Sequence, residues 1–226
     1  MPERVKWDVS PKEAIEIQKK MREQVRVEPF TAEIRTIGGA DVSLNRFSST
    51  LFAGIIVLSF PNLELLEYKT VKVETTFPYI PGLLSFREIP GLLQVWEKLS
   101  VKPDILMVDG QGIAHPRRLG IATHFGIVAN TPTIGCAKSV LTGIFDEPAN
   151  IPGASEKIYD KVTHEVIGTA FRSKKNSNPL IISPGYRVSI EQSADIVEKT
   201  LRGYRLPEPT RQAHLLVNKF RRGEVA

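Results

Sequence analysis

The chain has 226 residues, 42% of them hydrophobic, enough for a sizeable buried core and consistent with one domain over residues 1–226. Lys and Arg outnumber Asp and Glu by 30 to 25, a net charge of +5 that fits a polyanionic partner without requiring one. A single cysteine excludes an internal disulfide framework and a zinc-ribbon site. There is no apolar run of roughly 18 residues and no signal-peptide pattern at Met1-Pro2-Glu3-Arg4, so the protein is expected to be soluble and cytoplasmic, with no membrane partner.

In chain order, Ser10-Pro11-Lys12-Glu13 is a capping box with proline at the first helical position. It predicts a helix to about Val25, with Ala14, Ile17, Met21 and Val25 on one face, and its role reads as packing. Thr36 to Leu44 reads as a strand that carries Asp41, an unusual residue for a strand interior with apolar neighbours on both sides. Leu51 to Phe60 and Leu63 to Val73 read as two further strands, and the short turns between them imply antiparallel pairing. Phe77-Pro78-Tyr79-Ile80-Pro81-Gly82 cannot be regular structure. It is either a rigid connector whose aromatic packs inward or a rigid apolar wedge offered to a partner, since apolar side chains inserted between bases open duplexes.

Leu83 to Leu99 reads as helical with a break or new start at Pro90, and Glu88 lies in its first part. Ile105 to Val108 is a short continuous apolar run, read as a strand buried on both faces. It ends in Asp109, followed by Gly110 and Gly112, at the carboxyl end of the strand where open α/β sheets place their ligand sites. The glycines let backbone approach a ligand closely, and His115, Arg117 and Arg118 bring a titratable group and charge to the same loop. The plainer reading, an Asp-Gly turn beside a solvated basic loop, stays open on these residues alone. A helix over Ile121 to Ala129 and a strand over Thr133 to Ala137 follow, with Cys136 read as a buried structural thiol and Lys138 leaving the strand at the same sheet edge as Asp109. Weak strands are expected at Lys157 to Tyr159 and Val166 to Phe171, with His164 at the surface between them. A short strand at Leu180 to Ser183 should stop at Pro184-Gly185. A helix capped at Ser189 should run to about Leu201, and a last helix from Pro209-Thr210 carries His214 beside its apolar stripe.

The element order predicts an α/β fold with a mixed central sheet, three antiparallel strands and then parallel ones, flanked by helices. A right-handed crossover makes the fourth strand parallel to the first. If these two are neighbours, Asp41 and Asp109 face each other, and Glu88 can close the cluster. Three converging carboxylates repel one another unless a cation sits among them. Oxygen ligands suit Mg²⁺ or Mn²⁺, and paired hard metals about 3.5–4 Å apart stabilise the attacking and leaving oxygens of phosphodiester cleavage. The conditional conclusion is a metal-dependent phosphoryl-transfer site in a ribonuclease H-like sheet.

Several segments together resemble the endonuclease V family. They are Ala40-Asp41-Val42-Ser43, Thr76 to Glu88, Val108 to Gly112, Ala114 to Ala122, Ile134-Gly135 with Ala137-Lys138-Ser139, and Pro207 to Arg211 with His214. The resemblance runs from Asp8 almost to the C-terminus. It implies a ribonuclease H-like fold and hydrolysis of inosine-containing DNA, with RNA also open, at the second phosphodiester 3′ of the lesion. The ends would be 3′-hydroxyl and 5′-phosphate, in the service of DNA repair by a monomeric enzyme. It implies that Asp41 and Asp109 hold Mg²⁺ (or Mn²⁺ in its place), with Glu88 completing the shell directly or through water. His214 would position or activate the attacking water, and Lys138 would neutralise charge at the phosphate. Pro78, Tyr79, Ile80 and Pro81 would be the strand-separating wedge. Flipped hypoxanthine would sit near Leu84, Gly110, Gly112, His115, Gly120 and Ile121, read largely by backbone groups. Two alternatives remain: a reader that binds inosine without cutting, and another ribonuclease H-like nuclease, which would leave the proline-framed wedge unexplained.

Overall fold

The computed structural model describes residues 6–45 and 48–225; Met1-Pro2-Glu3-Arg4 lies outside them. Eight strands form one mixed sheet in the order β3-β2-β1-β4-β5-β8-β7-β6. The strands are β1 (Thr36–Leu44), β2 (Thr50–Ser59), β3 (Leu65–Glu74), β4 (Ile105–Val108), β5 (Thr133–Ala137), β6 (Ser155–Tyr159), β7 (Val166–Phe171) and β8 (Leu180–Tyr186). The helices are α1 (Pro11–Met21), α2 (Leu84–Lys98), α3 (Ile121–Ala129), α4 (Ile190–Lys199) and α5 (Glu208–Arg221). Strands β1 to β3 are antiparallel, whereas β4 pairs parallel with both β1 and β5. This is the mixed, ribonuclease H-like sheet that the element order predicted. Among the described residues, no helix is long and apolar enough to cross a membrane.

The four residues of β4 are all buried, and their side chains divide between two cores as the period of two requires. Ile105 and Met107 join Ile196, Val197 and Ala213 of α4 and α5 on one face. Leu106 and Val108 join Ile89, Leu92, Val95 and Phe125 of α2 and α3 on the other. The central strand is therefore sealed on both faces, and only its carboxyl end is open to chemistry.

Several boundaries move by one to four residues, and two readings made at prolines are overturned. Helix α2 does not break at Pro90 but runs through it. A proline inside a helix costs about 3 kcal/mol; here Ile89, Leu92 and Val95 on either side of it are fully buried, and that packing holds the helix together. Strand β8 does not stop at Ser183 but continues through Pro184-Gly185 to Tyr186. Pro184 is tolerated because β7 pairs only as far as Ile182, so beyond it β8 has a ladder on one side alone, with an irregular register against β5. The capping box of α1 forms as read: Ser10 Oγ accepts from the Glu13 amide at 3.3 Å, and the Glu13 carboxylate accepts from the Ser10 amide at 2.8 Å.

Candidate active site

The register Ala40↔Val108 between parallel β1 and β4 brings the next residue of each strand, Asp41 and Asp109, to one sheet edge. The Asp109 amide donates to the Ala40 carbonyl at 3.1 Å, which fixes that edge at the backbone level. Asp41 shares its strand face with Gly39, and Gly39 lies against the first turn of α5, where an added Cβ would be only 2.0 Å from the Pro209 carbonyl oxygen. This close approach lets α5 deliver His214, whose Nδ1 lies 2.8 Å from Asp41 Oδ2. Ligand atoms of Asp41, Asp109 and His214 all fall within 4.8 Å of one another, a geometry that could hold a metal ion.

Glu88 stands just behind this trio. The sequence reading grouped it with the two aspartates, whose charges it feels, and the structure adds His214 as the third member of the tightest cluster. Glu88 is buried, and burial together with the Asp41 and Asp109 charges pushes its carboxyl up to about 8. Asp109 is likewise raised above the usual carboxylate range, first by burial and then by Asp41, against the pull of Lys138. Lys138 leaves β5 beside the cluster and its Nζ contacts Asp109 Oδ2. His214 is raised, chiefly by its hydrogen bond to Asp41. Buried carboxyls that are raised by their acidic neighbours, as Glu88 and Asp109 are, with the Lys138 ammonium drawn to them, mark a cluster short of positive charge. The residues fit a divalent cation.

A pocket of about 300 Å³ opens beside Asp109. Of the residues expected to line it, Leu84, Gly110, His115, Gly120 and Ile121 do so. Gly112 does not. Its amide donates to Ser183 Oγ at 2.9 Å, and a Cβ on it would lie 2.2 Å from the Pro184 carbonyl oxygen, so its close approach is to β8. His115 is buried, and burial and the Arg117 charge lower its pKa to about 4, so it is neutral. Its Nδ1 accepts from the Arg117 amide at 3.1 Å, which leaves Nε2 to donate to the Gly82 carbonyl at 3.0 Å. His115 thus ties the loop to the chain that follows Pro81.

Residues 77–83 are irregular, as two prolines demand. Tyr79 projects with 70% of its surface exposed, so the aromatic does not pack inward. Tyr79, Ile80 and Pro81 form one rim of the pocket. Val140 and Leu141, unremarked in the sequence, are also exposed and line the same pocket. Gln111 was missed as well: its amide nitrogen donates to the Ser139 carbonyl at 2.8 Å and joins the β4 and β5 loops across the pocket. His124 is a packing residue, enclosed by Trp7 and Phe86 and bonded to Ser85 Oγ at 2.9 Å. Cys136 is fully buried and its thiol is pushed up by burial, as a structural thiol requires.

The family model for endonuclease V matches residues 19–215. The chain belongs to the endonuclease V family. It is 45% identical over 213 residues to an endonuclease V of Dictyoglomus turgidum, an alignment that covers 94% of this chain and 92% of that one. Among solved structures, endonuclease V of Streptomyces avermitilis superposes with a TM-score of 0.89 at 31% identity, covering 97% of this chain and 96% of that one. Endonuclease V of Ciona intestinalis, in complex with a 23mer DNA containing an inosine followed by a ribo-adenosine, gives a TM-score of 0.85 at 27% identity, covering 96% of this chain and all of that one. This endonuclease V chain is therefore a nuclease, and the acidic cluster at the β1/β4 edge is its candidate centre.

Proposed function

We propose that this protein recognises inosine in nucleic acid and hydrolyses the second phosphodiester bond on its 3′ side, leaving 3′-hydroxyl and 5′-phosphate ends, as a step in DNA repair. The observation that carries the reading is the juxtaposition of the Asp41, Asp109 and His214 cluster with a base-sized pocket in whose wall Asp109 itself stands. The Ciona relative holds inosine-containing DNA, which supports inosine as the ligand. Asp41 and Asp109 would hold Mg²⁺, or Mn²⁺ in its place, with Glu88 completing the shell directly or through water. Bound there, the metal supplies Lewis-acid stabilisation of charge on the reacting phosphate oxygens.

The chain's own groups take the remaining parts. His214, oriented by Asp41, holds or accepts a proton of the attacking water. Lys138, once drawn off Asp109, offers its ammonium to the phosphate. Pro78, Tyr79, Ile80 and Pro81 enter the duplex as a wedge, and an exposed aromatic held between prolines loses little entropy on insertion. The displaced base enters the pocket, where Gly110 and Gly120 keep backbone rather than side chain at its wall.

The test is a cleavage map. Purified protein with Mg²⁺ is offered matched DNA and RNA strands carrying one inosine, beside an Asp109→Ala control. A metal-dependent nick one nucleotide beyond the inosine's own 3′ linkage, absent in the control, is expected. Tight binding without a nick would mark a reader protein, and cutting that ignores inosine would move the chain to a different specificity on the same fold.

A further inference from the structure

We propose that Gln18 of α1 is a positioning residue that locks the wedge to the wall of the base pocket, so that the protein opens duplexes with a preformed tool. The proposal rests on the wedge reading given above. Gln18 is fully buried, on the packing face of an otherwise amphipathic helix between Ala14 and Met21. A glutamine there is costly unless its amide is satisfied, and its amide is satisfied completely, by two separate segments. Nε2 donates to the Gly82 carbonyl at 3.0 Å and to the Leu119 carbonyl at 3.3 Å, while Oε1 accepts from Arg117 Nε.

Gly82 follows the wedge directly, and Leu119 belongs to the loop after β4; both line the pocket. Gly82 turns in the left-handed region at φ +80°, which glycine adopts without steric cost. Its carbonyl is held by three donors: Gln18, His115 Nε2 at 3.0 Å and Arg117 Nη2 at 2.8 Å. At the other end of the wedge, the Phe77 carbonyl accepts from Arg87 Nη1 at 2.6 Å. The packing repeats the division. Ala14 sits in a cluster with Phe77, Leu83 and Phe86, next to the wedge in the chain, whereas Met21 sits with Leu119, Ile127 and Tyr186. Gln18 lies between these two clusters on the same helix and joins them through polar bonds. A wedge that must unstack bases transmits force to whatever anchors it, and Gln18 is where that anchor meets the pocket.

The test compares Gln18→Leu with wild type on three inosine substrates: a single strand, a paired duplex, and a duplex in which the inosine sits in a non-complementary bubble. If Gln18 positions the wedge, kcat/KM on the paired duplex should fall about tenfold, the factor expected for buried hydrogen bonds left unmade, with smaller losses on the single strand and the bubble. Equal losses on all three would show a merely structural role and overturn the proposal, as would an unchanged rate on the duplex. Should Gln18→Leu fail to fold, Arg117→Met removes another Gly82 donor from a half-buried position. It should show the same order of losses, and its absence would overturn the proposal equally. A wild-type protein that ignored inosine on every substrate would overturn the proposed function and this inference together; loss of the substrate order alone overturns only the role of Gln18.

Discussion

Replacing Gly39 by alanine should disable the site from a position that touches no substrate. An added Cβ would lie 2.0 Å from the Pro209 carbonyl oxygen and 2.3 Å from its carbon, backbone atoms that cannot rotate away. Moving from 2.0 Å to the 3.4 Å of ordinary contact requires the start of α5 to retreat by about 1.4 Å. His214 rides on the same helix, five residues further on, and its 2.8 Å bond to Asp41 cannot survive a shift of that size. Overpacking of this kind costs about 1–3 kcal/mol of stability, and misplacing a catalytic group by about 1 Å can cost ~10²-fold in rate. The measurement is single-turnover cleavage of an inosine oligonucleotide at saturating Mg²⁺, run well below the melting temperature of the variant. Gly54→Ala is the matched control. Its Cβ would meet side chains and no backbone, Val217 at 2.8 Å, Leu216 at 3.4 Å and Thr70 at 3.6 Å, so it should lower stability with much less effect on rate. A folded Gly39→Ala protein that cleaves at the wild-type rate would refute the reasoning that α5 must seat closely on β1 to place His214.

Two further outcomes follow from the same geometry. The Glu88 carboxyl has an ordinary value of 4.5 and a folded value of about 8, so the stability it allows is fully present below 4.5 and is lost as pH rises through about 8. The metal-free protein should therefore melt at progressively lower temperature across that window, Mg²⁺ should restore it, and Glu88→Gln should flatten the dependence; a Glu88→Gln melting curve with wild-type pH dependence would remove Glu88 as the cause. Tyr79→Ala removes a side chain that is 70% exposed, so melting temperature should hold while affinity for duplex inosine falls and metal binding by calorimetry stays intact.

The sheet and the two aspartates were legible because they rest on local signals that combine simply. An apolar run of four residues, a crossover of fixed hand and two strands ending in aspartate suffice to put Asp41 beside Asp109. The positions that escaped are those where a distant partner reverses a local preference. Pro90 signals a break, yet the sheet under α2 outweighs the missing amide. Pro184 signals a strand end, yet β7 pairs only as far as Ile182, so Pro184 has a ladder with β5 alone. Gly112 has the local look of a ligand-facing glycine, and only the fold shows β8 behind it. How close His214 comes to Asp41 depends on how closely α5 seats on Gly39, which no spacing in the sequence encodes. Gln18 was the one miss that carried its own signal. A glutamine between Ala14 and Met21 interrupts the apolar face of α1, and a buried amide must find partners. Because those partners are the carbonyls of Gly82 and Leu119, the helix read as packing joins the wedge to the pocket.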